Sequence, residues 1–359
     1  MKNLKNLTLI LAAAFLICAC EPISLEEYQA GKEAPKTGAA KESVTAPAKS
    51  SAPVILTESD FLPENPENPS DFSEDGTDTR PARRNIDFNN LTATLTDKTM
   101  ISSPYGLCFD LTDGMLIYEK GGLDSPIHPV GVPKLLTALV TIDSLPADFV
   151  FAVGTELSLP EAGSSSAGLK SGQKLDMDGA LTALLVPNGN DAAYMIAVNV
   201  AREKTGDYNL TDKEAVSYFV KLMNNYAKGL GCAASDFRNP DGNEAQGQIS
   251  SMRDLLIISA AAADNPLIAS ICGKSSAKIT FKTGEVAEWA GKLPAMPNSG
   301  FTPLGLKAGL TDQSGYCFTG LFQLEELSGK RFITTVAGAD STAIRDSDTD
   351  KMLKAAISQ

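Results

Sequence analysis

The stretch Ile127-His-Pro-Val-Gly-Val-Pro-Lys-Leu-Leu-Thr-Ala-Leu-Val-Thr141 decides how the chain is read. Pro133 suits a first helical turn, where its missing N–H would have had no intrahelical partner, and Leu135, Leu136, Leu139 and Val140 then share one apolar stripe. That spacing predicts a helix built to be buried. Residues three apart on a helix are neighbours, so Lys134 projects its amine over position 131. A serine at that position would form the Ser-x-x-Lys arrangement, in which the lysine takes the hydroxyl proton and makes a nucleophile. Position 131 is Gly.

With 359 residues, 43% of them hydrophobic, the chain has material for one large domain or two ordinary ones. A net charge of -13 and a pI near 4.7 argue against nucleic acid, which needs clustered Lys and Arg. The single histidine, His128, excludes most metal sites and most Ser-His-Asp arrangements, and no cofactor is implied. Lys, Asp, Glu and Tyr remain for acid–base work.

Upstream of the central helix, Tyr105–Asp110 and Met115–Glu119, joined by Leu-Thr-Asp-Gly, read as a two-stranded hairpin. From Glu21 to about Asp87 the chain is rich in Pro, Ala, Ser and Thr and carries fourteen acidic against seven basic residues. Such a composition buries too little surface to fold and reads as a solvated tether. At the start, Lys2 and Lys5 precede an apolar run from Leu7 to Ile17 with the size of an export-signal core, followed by Cys18-Ala19-Cys20. A small residue before Cys20 resembles a bacterial lipobox and makes Cys20 the expected lipidated residue; ordinary signal cleavage is the alternative. One acyl chain holds a membrane marginally, at ~0.8 kcal/mol per buried methylene, so stable attachment takes several. The expected organisation is a lipoprotein signal at 1–20, a disordered tether at 21–90 and a folded domain at 91–359.

Downstream, helices are expected over Met177–Val186, Asp191 to about Ala201, and from Thr211-Asp-Lys-Glu214, a capping-box pattern, to Gly229. A fourth is expected over Met252–Ala263 behind Ser251. After Asn265-Pro266 the pattern turns to strands at Lys278–Lys282, Thr302–Lys307, Tyr316–Leu324 and Arg331–Gly338, with a closing helix over Arg345–Ile357. Strands at both ends with helices between predict an α+β architecture (α/β in the broad sense), with one antiparallel sheet from both chain ends, flanking helices and a helical subdomain.

In this order, Met115-Leu-Ile-Tyr-Glu-Lys120, Gly168-Leu-Lys-Ser-Gly-Gln-Lys174, Leu184-Leu-Val-Pro-Asn-Gly-Asn-Asp-Ala-Ala193, Phe237-Arg-Asn-Pro-Asp-Gly242 and Gly305-Leu-Lys-Ala-Gly-Leu-Thr-Asp-Gln-Ser-Gly-Tyr-Cys317 form a set of landmarks. Over about Pro104–Ala356 the chain resembles the serine D-alanyl-D-alanine carboxypeptidases, the low-molecular-mass penicillin-binding proteins. The resemblance implies the DD-peptidase/β-lactamase-like fold, with the site between the sheet and the helical subdomain. It also implies a cell-envelope location and a peptidoglycan stem peptide as ligand.

The family's three motifs are each altered. The Ser-x-x-Lys position reads Gly131-Val-Pro-Lys134, the Ser-x-Asn position Asn188-Gly189-Asn190, and the Lys-Thr-Gly position Lys307-Ala308-Gly309. By the resemblance, Gly131 is the vacant nucleophile position and Lys134 the former general base. Asn188 replaces the serine that passes a proton to the leaving amine, and its amide has no proton to give near neutral pH. Asn190 keeps the amide that would hold the substrate backbone. Lys307 keeps a charge for the terminal carboxylate, Ala308 loses the hydroxyl beside it, and Gly309 is kept.

Ser171-Gly-Gln-Lys174 and Ser275-Ser-Ala-Lys278 also fit Ser-x-x-Lys, but neither precedes an apolar helix. Lys282-Thr283-Gly284 reads as a hairpin turn. Ser125, close to the vacant position, is a substitute nucleophile or a structural loop residue. Cys108, Cys232, Cys272 and Cys317 mature outside the cytoplasm, where Cys232 with Cys272 or four buried thiols are the two expectations. Function then divides three ways. The first is a non-catalytic, lipid-tethered homologue that binds stem peptide or an envelope partner. The second is an active carboxypeptidase working through Ser125 or through water activated by Lys134, and the third is a structural lipoprotein whose cleft is unused.

Overall fold

The computed structural model describes residues 86–291, 300–324, 326 and 329–358. The expected export signal, Cys18, Cys20 and the tether up to residue 85 lie outside the described residues.

The first hairpin forms as its pattern requires, with β1 at Tyr105–Asp110 and β2 at Met115–Lys120. Asp110 shapes the turn, its carboxylate accepting from the N–H groups of Thr112 and Asp113 at 2.9 and 3.0 Å. Two two-residue strands follow on either side of the central helix, β3 at Pro126–Ile127 and β4 at Phe151–Ala152. β5 at Lys174–Leu175 pairs with β4, and β6 at Ser250–Ser251 pairs with β3. Late in the chain come β7 (Ser276–Thr280), β8 (Val286–Ala290), β9 (Phe301–Thr311), β10 (Gly315–Leu324) and β11 (Arg331–Ala339). The main sheet has the order β2-β1-β11-β10-β9 and is antiparallel throughout, with Tyr105 opposite Ala337 and Asp110 opposite Phe332. Both chain ends therefore build one sheet, as the pattern predicts.

The helices are α1 (Pro133–Ser144), α2 (Met177–Leu185), α3 (Asn190–Thr205), α4 (Asp212–Leu230), α5 (Met252–Asp264), α6 (Pro266–Cys272) and α7 (Thr342–Ile357). Every residue of α1 from Pro133 to Thr141 is buried, and the helix touches α2 through α6. Period-two alternation splits the sheet's side chains between two cores. Leu107, Phe109, Leu321 and Ile333 join the helices, while Cys108, Phe318, Phe322 and Val336 pack with Met352 and Leu353 of α7. Among the described residues no single helix is long and apolar enough to cross a membrane.

The capping box at Thr211 and Glu214 is present, and Ser251 caps α5 by accepting from the Asp254 N–H at 3.2 Å. Between Asn265-Pro266 and the strands expected from Lys278 the chain forms a further helix, α6. Pro266 fills the first turn and the Asn265 side chain accepts from the Leu267 and Ile268 N–H groups at 3.1 Å each, so the dipeptide starts a helix. α4 runs to Leu230 rather than stopping at Gly229, and the closing helix begins at Thr342 behind its Ser341 cap instead of at Arg345. Cys108, Cys232, Cys272 and Cys317 are buried free thiols, so the Cys232–Cys272 pairing is not made.

Chain ends are fastened by one buried carboxylate. Asp348 on α7 accepts from the N–H groups of Ser102 and Ser103 and from the Ser103 hydroxyl, at 2.7–3.1 Å. Asp348→Ala strands the buried N–H of Ser103 and removes the acceptor of the part-buried Ser102 N–H, and is expected to cost about 2–3 kcal/mol of stability, read by urea denaturation.

Candidate active site

Lys134 enters the core on the first turn of α1, only 2% exposed, and its Nζ donates to the backbone carbonyl of Asp241. A buried ammonium needs such partners, because desolvating it alone costs far more than a hydrogen bond returns. The Asp241 carboxyl is 1% exposed; burial pushes it above its ordinary value, and the facing Lys134 ammonium pulls the other way. Tyr194 on α3 lies in the same polar group, its hydroxyl pushed up by burial and by the Asp241 and Glu161 charges.

Asn190 opens α3 with its N–H donating to the Ser165 carbonyl at 2.8 Å, and its side-chain Nδ2 donates to Asn243 Oδ1 at 3.3 Å. The turn before it is tight. Asn188 adopts a φ of +68°, and a Cβ on Gly189 would lie 2.5 Å from the Ala183 carbonyl oxygen. Asp191 secures the neighbouring loop by accepting from Ser166 Oγ and from the Ala167 and Leu169 N–H groups at 2.6–3.0 Å.

The third stretch lies on β9, the edge strand, with Lys307, Ala308 and Gly309 opposite Thr319, Phe318 and Cys317. Lys307 is 4% exposed and its Nζ donates to the Ala308 carbonyl at 3.2 Å. A cavity of about 20 Å³ beside it is lined by Leu185, Val186, Cys272 and Lys274 among others. Burial pushes the Cys272 thiol up to about 12, against the nearby Lys307 charge, so it holds little thiolate at neutral pH.

The three stretches converge. Gly131 has a φ of +75°, and a Cβ built on it would lie 2.8 Å from the Ala308 carbonyl oxygen and 3.4 Å from Gly309 Cα. A Cβ on Gly309 would in turn meet the Val130 carbonyl at 3.0 Å. Backbone therefore fills the space a side chain at position 131 needs. Lys134 and Asn190 are joined through the Asp241–Asn243 segment rather than through a hydroxyl.

Other expected residues fall elsewhere. The Ser125 hydroxyl donates to the Gly121 carbonyl at 2.6 Å inside a turn. Lys174 lies on β5, Lys278 lies on β7, and Lys282-Thr283-Gly284 is the β7–β8 turn. Asp241, Asn243 and Tyr194 carry no role in the sequence reading, although Asp241 stands inside a quoted landmark; its signal is a carboxylate between Pro and Gly in a chain whose lysine needs a counter-charge. Among the described residues no group of three or more His, Cys, Asp or Glu could hold a metal ion.

An antiparallel sheet made from both chain ends, a helical lobe around a buried central helix, and a lysine, an asparagine and an edge-strand lysine brought to one seam define the architecture of the serine DD-peptidases. The family model described as D-alanyl-D-alanine carboxypeptidase matches residues 92–341, and the chain belongs to that family. It is 26% identical over 257 residues to D-alanyl-D-alanine carboxypeptidase DacC of Escherichia coli, covering 69% of this chain and 59% of the relative. With the D-alanyl-D-alanine carboxypeptidase of a Streptomyces species it shares 26% identity over 274 residues, covering 73% and 89%. The chain spans about three fifths of the length of the Escherichia coli relative and of the Bacillus subtilis carboxypeptidase DacF. Among solved structures, a Streptomyces DD-transpeptidase superposes with a TM-score of 0.64 at 24% identity, covering 75% of this chain and 100% of that one. A Mycobacterium tuberculosis D-alanyl-D-alanine carboxypeptidase gives 0.62 at 21% identity, covering 75% and 96%.

The Asp241 carboxyl sets a pH dependence whose sign is fixed. Its ordinary value is 3.8 and its folded value is higher, so the folded chain holds the proton more tightly. Its contribution to stability falls as pH rises from about 4 through the folded pKa. The difference in Tm between wild type and Asp241→Asn should therefore change between pH 4 and 7; a constant difference would show that Asp241 does not titrate there.

Proposed function

We propose that this protein is a non-catalytic member of the D-alanyl-D-alanine carboxypeptidase family, exported and held at the cell envelope by lipid on Cys20, that binds the D-Ala-D-Ala end of peptidoglycan stem peptides without turning them over. The observation that carries the reading is Gly131, with the Ala308 carbonyl where a nucleophile's side chain would have to stand. Acyl transfer begins with attack by a side-chain oxygen, and removing an activated serine from such sites costs on the order of a million-fold in rate. Asn188 supplies no proton to a leaving amine, and the Ser125 hydroxyl is committed to a turn carbonyl. The binding half is better kept. Asn190 retains an amide, and Lys307 retains a charge suited to a terminal carboxylate.

Purified protein should form no covalent adduct with labelled penicillin and release no D-alanine from a pentapeptide at high protein concentration; either product would establish the active reading with another nucleophile. Lys307→Ala should weaken muropeptide binding at least fivefold, whereas unaltered binding in that variant would leave the cleft unused. Gly131→Ser should fail to gain penicillin labelling and should lower stability by about 1–2 kcal/mol, because the serine would inherit a left-handed φ and a 2.8 Å approach to Ala308.

A further inference from the structure

The groups that would hold a peptide are covered by the chain itself. One short segment, Asp241-Gly-Asn-Glu244, bonds to the first two motif stretches and to the β9–β10 turn beyond the third. The Asp241 carbonyl accepts from Lys134, Asn243 Oδ1 accepts from Asn190, and Glu244 Oε1 accepts from the Gln313 N–H at 2.7 Å in the β9–β10 turn. Gly242, at a φ of +80°, lets the backbone pass directly over the start of α1; a Cβ there would lie 3.1 Å from the Gly131 nitrogen and from the Pro133 ring.

The two ends of this segment differ in kind. Asp241 and Gly242 are buried, and the Gly242 N–H donates to Asn239 Oδ1 at 2.9 Å. Asn239 Nδ2 donates to the Asn243 carbonyl at 2.8 Å. Glu244 is exposed, and its bonds to the Gln313 N–H and the Thr311 hydroxyl hold its carboxyl below the ordinary range. Water competes for an exposed bond of this type, so it breaks far more readily than the buried contacts behind it. Glycines with positive φ stand at 242 and 247, where the backbone absorbs rotation. Asn190 Oδ1, and Asp241 Oδ2 within the segment itself, are buried acceptors with no hydrogen-bond partner among the described residues. They match the N–H groups of a peptide.

We propose that Asp241–Glu244 is an internal bolt across the cleft, with Glu244 as its releasable tip, and that freeing the tip from the β9–β10 turn exposes Asn190 to an acyl-D-Ala-D-Ala peptide. The ligand rests on the peptide-binding reading given above; the bolt does not. The test uses the full chain with Glu244→Ala and, as the variant that keeps an acceptor at the tip, Glu244→Gln. Amide hydrogen exchange is followed at 241–244 and 308–313, with titration of N-acetyl-D-Ala-D-Ala against its L,L counterpart. Glu244→Ala should speed exchange in both segments at least tenfold while α1 and α4 stay protected, and should tighten D,D-dipeptide binding at least threefold; Glu244→Gln should stay near wild type. Exchange unchanged in Glu244→Ala overturns the bolt whatever the dipeptide does. Faster exchange with no dipeptide bound by any of the three proteins upholds the bolt and removes the peptide as its ligand.

Discussion

The close approach of β9 to the start of α1 sets the geometry of the seam on which the rest of the structure closes. Gly131 meets Ala308 and Gly309 backbone to backbone, at separations that leave no room for a methyl group on either glycine. Because α1 is packed against α2 through α6, this contact fixes where the helical lobe stands relative to the sheet edge. A nucleophilic side chain at 131 and this approach exclude one another. Glycine here does more than lack an oxygen: it permits a close contact that a side chain would obstruct.

The second motif shows the same shift from chemistry to geometry. Asn188 is the only non-glycine residue with positive φ among those described, and Asn tolerates the left-handed region better than other side chains because its short amide bonds locally. With Gly189 pressed against Ala183 and Asp191 holding the 166–169 loop, Asn188-Gly189 serves as the turn that delivers Asn190. Lys134 and Lys307 follow a related logic. Each buried ammonium donates to a backbone carbonyl, Asp241 for one and Ala308 for the other. Truncating either lysine leaves a buried carbonyl without this donor, costing about 1–3 kcal/mol. Both lysines thus have a structural role as donors to buried carbonyls, separate from any reaction.

Much of the fold was legible because its signals are local. The hairpin at 105–120, the capping box at Thr211 and the apolar stripe after Pro133 each depend on residues a few positions apart, and each is found where the pattern put it. α6 is absent from the sequence pattern because it is only seven residues long, and the Asn265 cap that starts it works through a side chain. β8 lacks a strong alternation, and its Trp289 is fixed by a distant partner, with Nε1 donating to the Ala167 carbonyl at 2.9 Å. At the site, the three altered motifs could be read as residue types. That Gly131 lies under a strand, or that Lys134 finds Asp241 more than a hundred residues away, follows from tertiary packing, which spacing along the chain does not encode.

A closed seam with retained polar groups is not at rest energetically. Asn190 Oδ1 and Asp241 Oδ2 are buried acceptors without donors among the described residues, and each such group costs about 1–3 kcal/mol. The exposed Glu244 bonds that hold the segment down return about 0.5–1.5 kcal/mol apiece before competition from water. Under the proposed opening, a ligand that brought N–H groups to the two acceptors would offset part of that cost, which an apolar ligand could not do. Opening and binding are then a single equilibrium. The peptide proposed for this seam would differ from an apolar ligand in its ability to satisfy acceptors that the folded chain leaves unpaired.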